Sequence, residues 1–303
     1  MTTTIAPVDG IDLAYETFGD RRHPPMLLIM GLGTQMIAWP DPLCLDLAER
    51  GYYVVRFDNR DVGLSSHMSD VRAPSLADTV LRRREPPYTI GDMADDAVGL
   101  MDALDLGTAH VVGASMGGFI AQTLALDHRS RVRSLTLVMT STGSRRVGNP
   151  RPQVFTRLTK RRAVADRSTA QATAVETFRI IGSRGYAFDE QYLHEIAGRS
   201  YDRAHDPGGY LRQLSAIMAQ PDRTADLRRL DVPALVMHGL DDPLVASSGG
   251  LALAKALRGS RFVGFEGMGH DLPRELWADF ADNIAALAAR ADQPCPSTTP
   301  PAA

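Results

Sequence analysis

The sequence predicts an α/β fold: a mostly parallel sheet with helices on both faces, interrupted once by an inserted helical cap. Three observations carry that prediction. Between 26 and 140, short continuous apolar runs alternate with stretches of helical spacing. From 141 to 226 the alternation gives way to Arg-, Thr-, Ala- and Gln-rich sequence of helical spacing without a buried-strand run, and from 234 the alternation resumes. The expected organisation is therefore a core in two parts, 1–140 and 227–290, with 141–226 as the cap and the proline-rich 291–303 as a disordered tail.

The elements follow in order. Ile11, Leu13 and Tyr15 alternate with polar neighbours until Gly19 and Asp20, which predicts an antiparallel hairpin at the sheet's start. The runs 26–30 (MLLIM), 52–57 (YYVVRF), 109–113 (AHVVG) and 135–139 look like strands buried on both faces. Helices are expected at 43–50, at 90–104, where Met93, Ala97, Leu100, Met101 and Leu104 share one face, and at 116–128. After the cap come a strand at 234–239 (ALVMHG), a helix near 250–257, a strand at 261–265 and an amphipathic helix from Pro273 to about Arg290. That makes eight strands, and right-handed crossovers between them imply helices on both faces.

Composition narrows the function. A chain of 303 residues can bury a large core, and 44% hydrophobic with 23% charged residues is ordinary for a soluble globular enzyme. A net charge of −3 argues against nucleic acid or an anionic membrane as the main partner. The two cysteines, Cys44 and Cys295, are expected to be free thiols. The N-terminus lacks a signal pattern and no apolar stretch is long enough to span a bilayer, so the expected location is the cytoplasm. Neither a GxGxxG turn nor a GxxxxGK loop occurs, and the expected chemistry needs no metal or organic cofactor.

The chemistry is carried by Gly113-Ala114-Ser115-Met116-Gly117, a GxSxG sequence between a predicted buried strand and a predicted helix. So tight a strand-to-helix turn strains the serine backbone, requires very small residues two positions either side, and exposes the hydroxyl at the C-terminal edge of the sheet. A serine hydroxyl is a poor nucleophile near neutral pH and needs a base. Of eight histidines, His270 is best placed, in Gly267-Met268-Gly269-His270 after the last strand. The acid that orients it should follow the preceding strand, where Asp241 and Asp242 both stand; the position directly before Pro243 favours Asp242. The order Ser115, Asp242, His270 agrees with the strand pattern. Two backbone amides should receive the oxyanion: Met116, after the nucleophile, and Leu32, in the Met30-Gly31-Leu32-Gly33 loop.

With these motifs the chain resembles the α/β-hydrolases, and within them the aclacinomycin methylesterase-like and non-haem haloperoxidase-like serine esterases. Trp39-Pro40-Asp41 and the stretch from Asp58 to Ser65 (DNRDVGLS) add to the match. The resemblance runs over nearly the whole chain and implies ester hydrolysis through an acyl-enzyme. Gly31, Gly33 and Met268 are expected at the substrate pocket, and Trp39 either lines it or simply packs. Met-Gly stands where many members carry His-Gly in the oxyanion loop, and Asp61 where most carry glycine. The alternatives are a thioester or lipid-ester substrate and, from another class, a small-molecule receptor on the same fold. The expected state is a monomer or homodimer. The basic run Arg145, Arg146, Arg151, Arg157, Lys160, Arg161, Arg162 and Arg167 suits a solvated cap face better than a peripheral membrane contact. His238, His110 and the Asp58–Ser65 loop are expected to pack or brace rather than react.

Overall fold

The computed structural model describes residues 2–81, 83–154 and 164–293. Eight strands form one sheet in the order β1-β2-β4-β3-β5-β6-β7-β8. β1 (Thr4–Val8) and β2 (Ile11–Phe18) make the expected hairpin, and β2 runs antiparallel to β4 (Tyr53–Phe57). The remaining pairings, through β3 (Pro25–Ile29), β5 (Ala109–Ala114), β6 (Val132–Val138), β7 (Ala234–Gly239) and β8 (Arg261–Phe265), are parallel.

The continuous apolar runs have a simple cause: both faces of the parallel strands are covered. Leu27, Ile29 and Val111 point to a face packed by α3 (Ile90–Ala103), α4 (Met116–Asp127) and α9 (Ser248–Ala256). Met26, Leu28 and Val112 point to the other, packed by α1 (Asp41–Glu49) and α10 (Trp277–Asp292). Each fully buried Leu, Ile or Met contributes roughly 1.5–3 kcal/mol of transfer free energy, which is why this pattern dominates the sequence.

The boundaries differ from expectation where local chemistry decides them. α1 starts at Asp41, two residues early, because Pro42 supplies a first-turn residue with a preset φ. The last helix begins after a 3-10 turn at Arg274–Leu276 and continues to Asp292, whose carboxylate lies 2.7 Å from Arg133 and 3.3 Å from His110. Helix therefore extends two residues into the expected tail, and 294–303, with Cys295, lie outside the described residues. A short α2 (Leu76–Val80) with Ser75 at its N-cap had no signal in the apolar pattern.

Between β6 and β7 the described residues form no strand. They hold α5 (Arg167–Ile181), α6 (Glu190–Arg203), α7 (Pro207–Ala219) and the short α8 (Thr224–Leu227). Capping residues Asp166, Asp189 and Asp206 set the start of the first three. Of the basic run, Arg145, Arg146, Arg151 and Arg167 are exposed, while 157 and 160–162 lie outside the described residues. No helix among the described residues is long and apolar enough to cross a membrane. Cys44 is fully buried under the sheet, which pushes its thiol up to about 12.

Packing is tight around the β5–α4 turn. A Cβ on Gly113 would lie 2.2 Å from the Gly117 carbonyl oxygen, and one on Gly117 would lie 2.1 Å from that of Ile29. Both obstacles are backbone and cannot rotate away. Gly117→Ala is therefore expected to destabilise the fold by about 3 kcal/mol or more, read as a lowered urea midpoint with unchanged slope; an unchanged midpoint would mean that helix and strand have room to separate.

Candidate active site

The C-terminal ends of β3, β5, β7 and β8 lie along one edge of the sheet, and the loops leaving them converge. Ser115 is at the end of β5 with φ 54° and ψ −116°, a left-handed conformation that a side-chain-bearing residue adopts only under constraint. The constraint is visible: its amide donates to the Val138 carbonyl at 2.9 Å, its carbonyl accepts from the Gly118 amide at 3.0 Å, and the flanking glycines admit no Cβ.

The Ser115 hydroxyl lies 3.0 Å from Nε2 of His270, and Nδ1 of His270 lies 2.7 Å from Oδ2 of Asp242. Asp242, 2% exposed, accepts at Oδ1 from the amides of Leu244 and Val245, both at 2.8 Å. One oxygen is thus fixed by the turn after β7 and the other is left for the imidazole. Asp241, the alternative, is exposed, and its carboxylate accepts from the Gly267 amide at 3.0 Å. Burial opposes the charged form of His270, yet the Asp242 carboxylate beside it, with a lesser contribution from Asp271, raises its pKa above the ordinary value.

His238 is fully buried; its Nε2 donates to the Val245 carbonyl at 2.8 Å, α9 packs against the ring at Gly250, and burial lowers its pKa. It braces the turn that carries Asp242. His110 is likewise buried and paired with Ser134 at 2.9 Å.

The loop after β3 runs beside the serine: a Cβ on Gly31 would lie 3.1 Å from that of Ser115. Leu32 follows, and the Gly33 amide donates to Oε1 of Gln213 at 2.7 Å while the Tyr210 ring covers Gly33. Trp39 and Met268 are fully buried among the side chains of α1 and α10.

The loop at 58–65 braces, and Asp61 explains its departure from the family pattern. It keeps the left-handed backbone, φ 68°, that a glycine would favour. Its carboxylate offsets the strain by accepting from Arg212 twice at 2.8 Å, from the Tyr88 hydroxyl at 2.7 Å and from the Met68 amide at 2.7 Å. Asp58 accepts from the Met36 amide at 2.7 Å and pairs with Arg203 at 2.9 Å. Asp61, His67 and Asp206 stand close enough together to suggest a metal site, but Arg212 already bridges the two carboxylates at 2.8 and 2.7 Å.

Arg203, Tyr210, Arg212 and Gln213 all come from α6 and α7, and no sequence motif marked them. The helical segment is fastened to the loops around Ser115 by side chains 145 to 180 residues from their partners.

A family model described as alpha/beta hydrolase fold matches residues 24–273. The chain is 30% identical to the rhodomycin D methylesterase DauP of Streptomyces sp. (strain C5), over 94% of this chain and 98% of that one. It is 29% identical to the rhodomycin D methylesterase DnrP of Streptomyces peucetius over the same shares. Among solved structures, the enol-lactonase from Burkholderia xenovorans LB400 superposes with a TM-score of 0.73 at 26% identity, covering 94% of this chain and all of that one.

Proposed function

From the premise that the chain belongs to the α/β-hydrolase family, we propose that it hydrolyses carboxylic esters through an acyl-enzyme, with Ser115 as nucleophile, His270 as general base and Asp242 as the orienting acid. The observation that carries the reading is the continuous path from the Ser115 hydroxyl through His270 to Asp242, at 3.0 and 2.7 Å, with the serine on a strained turn. Ester hydrolysis is also what the methylesterase and enol-lactonase relatives are named for.

In this mechanism His270 takes the Ser115 proton as Oγ attacks the ester carbonyl. The developing oxyanion lies toward the amides of Met116, at the positive end of α4, and of Leu32, on the loop whose Gly31 abuts the serine. Collapse expels the alcohol with the proton from His270, and water then repeats the sequence on the acyl-enzyme, giving acid and free Ser115. The described helices between β6 and β7 act as a cap over this edge of the sheet, and their fastenings to the loops at 31–35 and 58–68 support that role.

Methyl esters of bulky acids are the first substrates to try, beside a p-nitrophenyl ester series and an acyl-CoA. Turnover of oxygen esters above thioesters is expected; a preference for the acyl-CoA would replace the ester reading with a thioesterase. The proton path also fixes a pH dependence. Only neutral His270 accepts the serine proton, and its pKa is raised, so kcat/KM for an uncharged ester should fall with decreasing pH through a limb above 6.5. A limb at or below 6.5 would mean that Asp242 does not act on the imidazole.

A further inference from the structure

The helical insert is stitched to the loop that carries His270. α5 ends at Ile181, and the residues after it run along 267–271. The His270 amide donates to the Ile181 carbonyl at 2.7 Å, and the amides of Arg184 and Gly185 both donate to the Gly267 carbonyl, at 3.0 and 2.9 Å. The two backbones touch: a Cβ on Gly185 would lie 2.6 Å from Cα of Gly267, and one on Gly269 would lie 2.4 Å from the carbonyl carbon of Gly182.

Ser183 closes the seam with both of its groups. Its hydroxyl accepts from the Gly269 amide at 2.9 Å and donates to Oδ1 of Asp271 at 2.5 Å, while its own amide donates to the same oxygen at 3.0 Å. The amides of residues 269 and 270 and the side chain of 271 are thus all bound to a five-residue stretch of the insert. A partly buried carboxylate is tolerated where such bonds satisfy it. Burial still raises the Asp271 pKa, and its charge in turn favours protonated His270. The other charged or titratable groups facing that imidazole are Ser115 from the β5 turn, and Asp242 and His238 from the end of β7.

We propose that Ser183 and Asp271 are positioning residues of the reaction: Asp271, anchored to the insert through Ser183, holds the histidine loop in register with Ser115. The proposal rests on the reading of His270 as the base. It makes the insert part of the catalytic apparatus, since displacing its 181–185 stretch would move the base.

The test compares Ser183→Ala, Asp271→Ala and Asp271→Asn with wild type on p-nitrophenyl acetate, with rates expressed per active site titrated by a fluorophosphonate so that misfolded protein does not count. Ser183→Ala and Asp271→Ala should each lose about 10- to 100-fold in kcat with KM within about threefold, as expected when a base is misplaced and binding is not. Asp271→Asn keeps the acceptor for the Ser183 hydroxyl and amide, so it should stay within about fivefold of wild type. Per-site kcat within twofold of wild type in both alanine variants, or a loss in Asp271→Asn as large as in Asp271→Ala, would overturn the proposal. Turnover surviving Ser115→Ala would instead overturn the parent reading, so the two failures are distinguishable.

Discussion

Ser115→Ala is expected to lower kcat on any accepted ester by about a million-fold while leaving the fold intact. The loss is large because the hydroxyl and imidazole act as one unit: with the hydroxyl gone, the base at 3.0 Å has nothing to deprotonate but water, held in no particular position. The fold should be indifferent, because the turn is imposed by the Gly113–Gly117 approach and by the backbone bonds to Val138 and Gly118, none of which involves Oγ. Alanine also meets the same left-handed φ that serine already tolerates. Circular dichroism and the urea midpoint should match wild type within about 1 kcal/mol. Residual activity above a few per cent, with the preparation free of wild-type enzyme, would exclude Ser115 as nucleophile.

Asp242→Asn is expected to cost about ten-thousand-fold in kcat, and Asp241→Asn no more than a few-fold. Asparagine fits the same space, and its amide oxygen can still accept from the Leu244 and Val245 amides. That choice aims the NH2 group at Nδ1 of His270, which must then be the acceptor, placing the ring proton on Nε2 where it faces Ser115. The base is then in the wrong tautomer with its geometry preserved. Asp241 has no such influence: its carboxylate is exposed and accepts from the Gly267 amide. Assays of both variants on one ester decide the assignment, and equal losses would remove the distinction between the two aspartates.

The parallel core was legible because the strands are covered on both faces, so 26–29 is apolar without alternation and 109–112 is apolar but for His110, whose Nδ1 pairs with Ser134. The strand-to-helix serine turn was legible for a similar reason, since a Cβ on Gly113 or Gly117 would come within 2.1–2.2 Å of a backbone carbonyl oxygen. The insert was legible only as helical sequence. Ser183, Arg212 and Gln213 are polar residues on amphipathic helices or at their ends, a position they share with ordinary solvated side chains, and their partners are 88, 151 and 180 residues away. Trp39 and Met268 are fully buried in the cluster formed with α1 and α10, a setting that the apolar character of each residue alone does not distinguish from a pocket wall.

Asp61 and Arg212 carry a consequence for how this chain can drift in sequence. Asp61→Gly would relieve the φ of 68° but strand a guanidinium whose side chain is 4% exposed, leaving it only Asp206 as counter-charge. Arg212→Leu alone would leave a fully buried carboxylate without its cation. Each single step is costly, and the pair changed together is expected to cost less than the sum of the two. The positions are locked as a couple, so relatives that regain glycine at 61 should also have lost the arginine on α7.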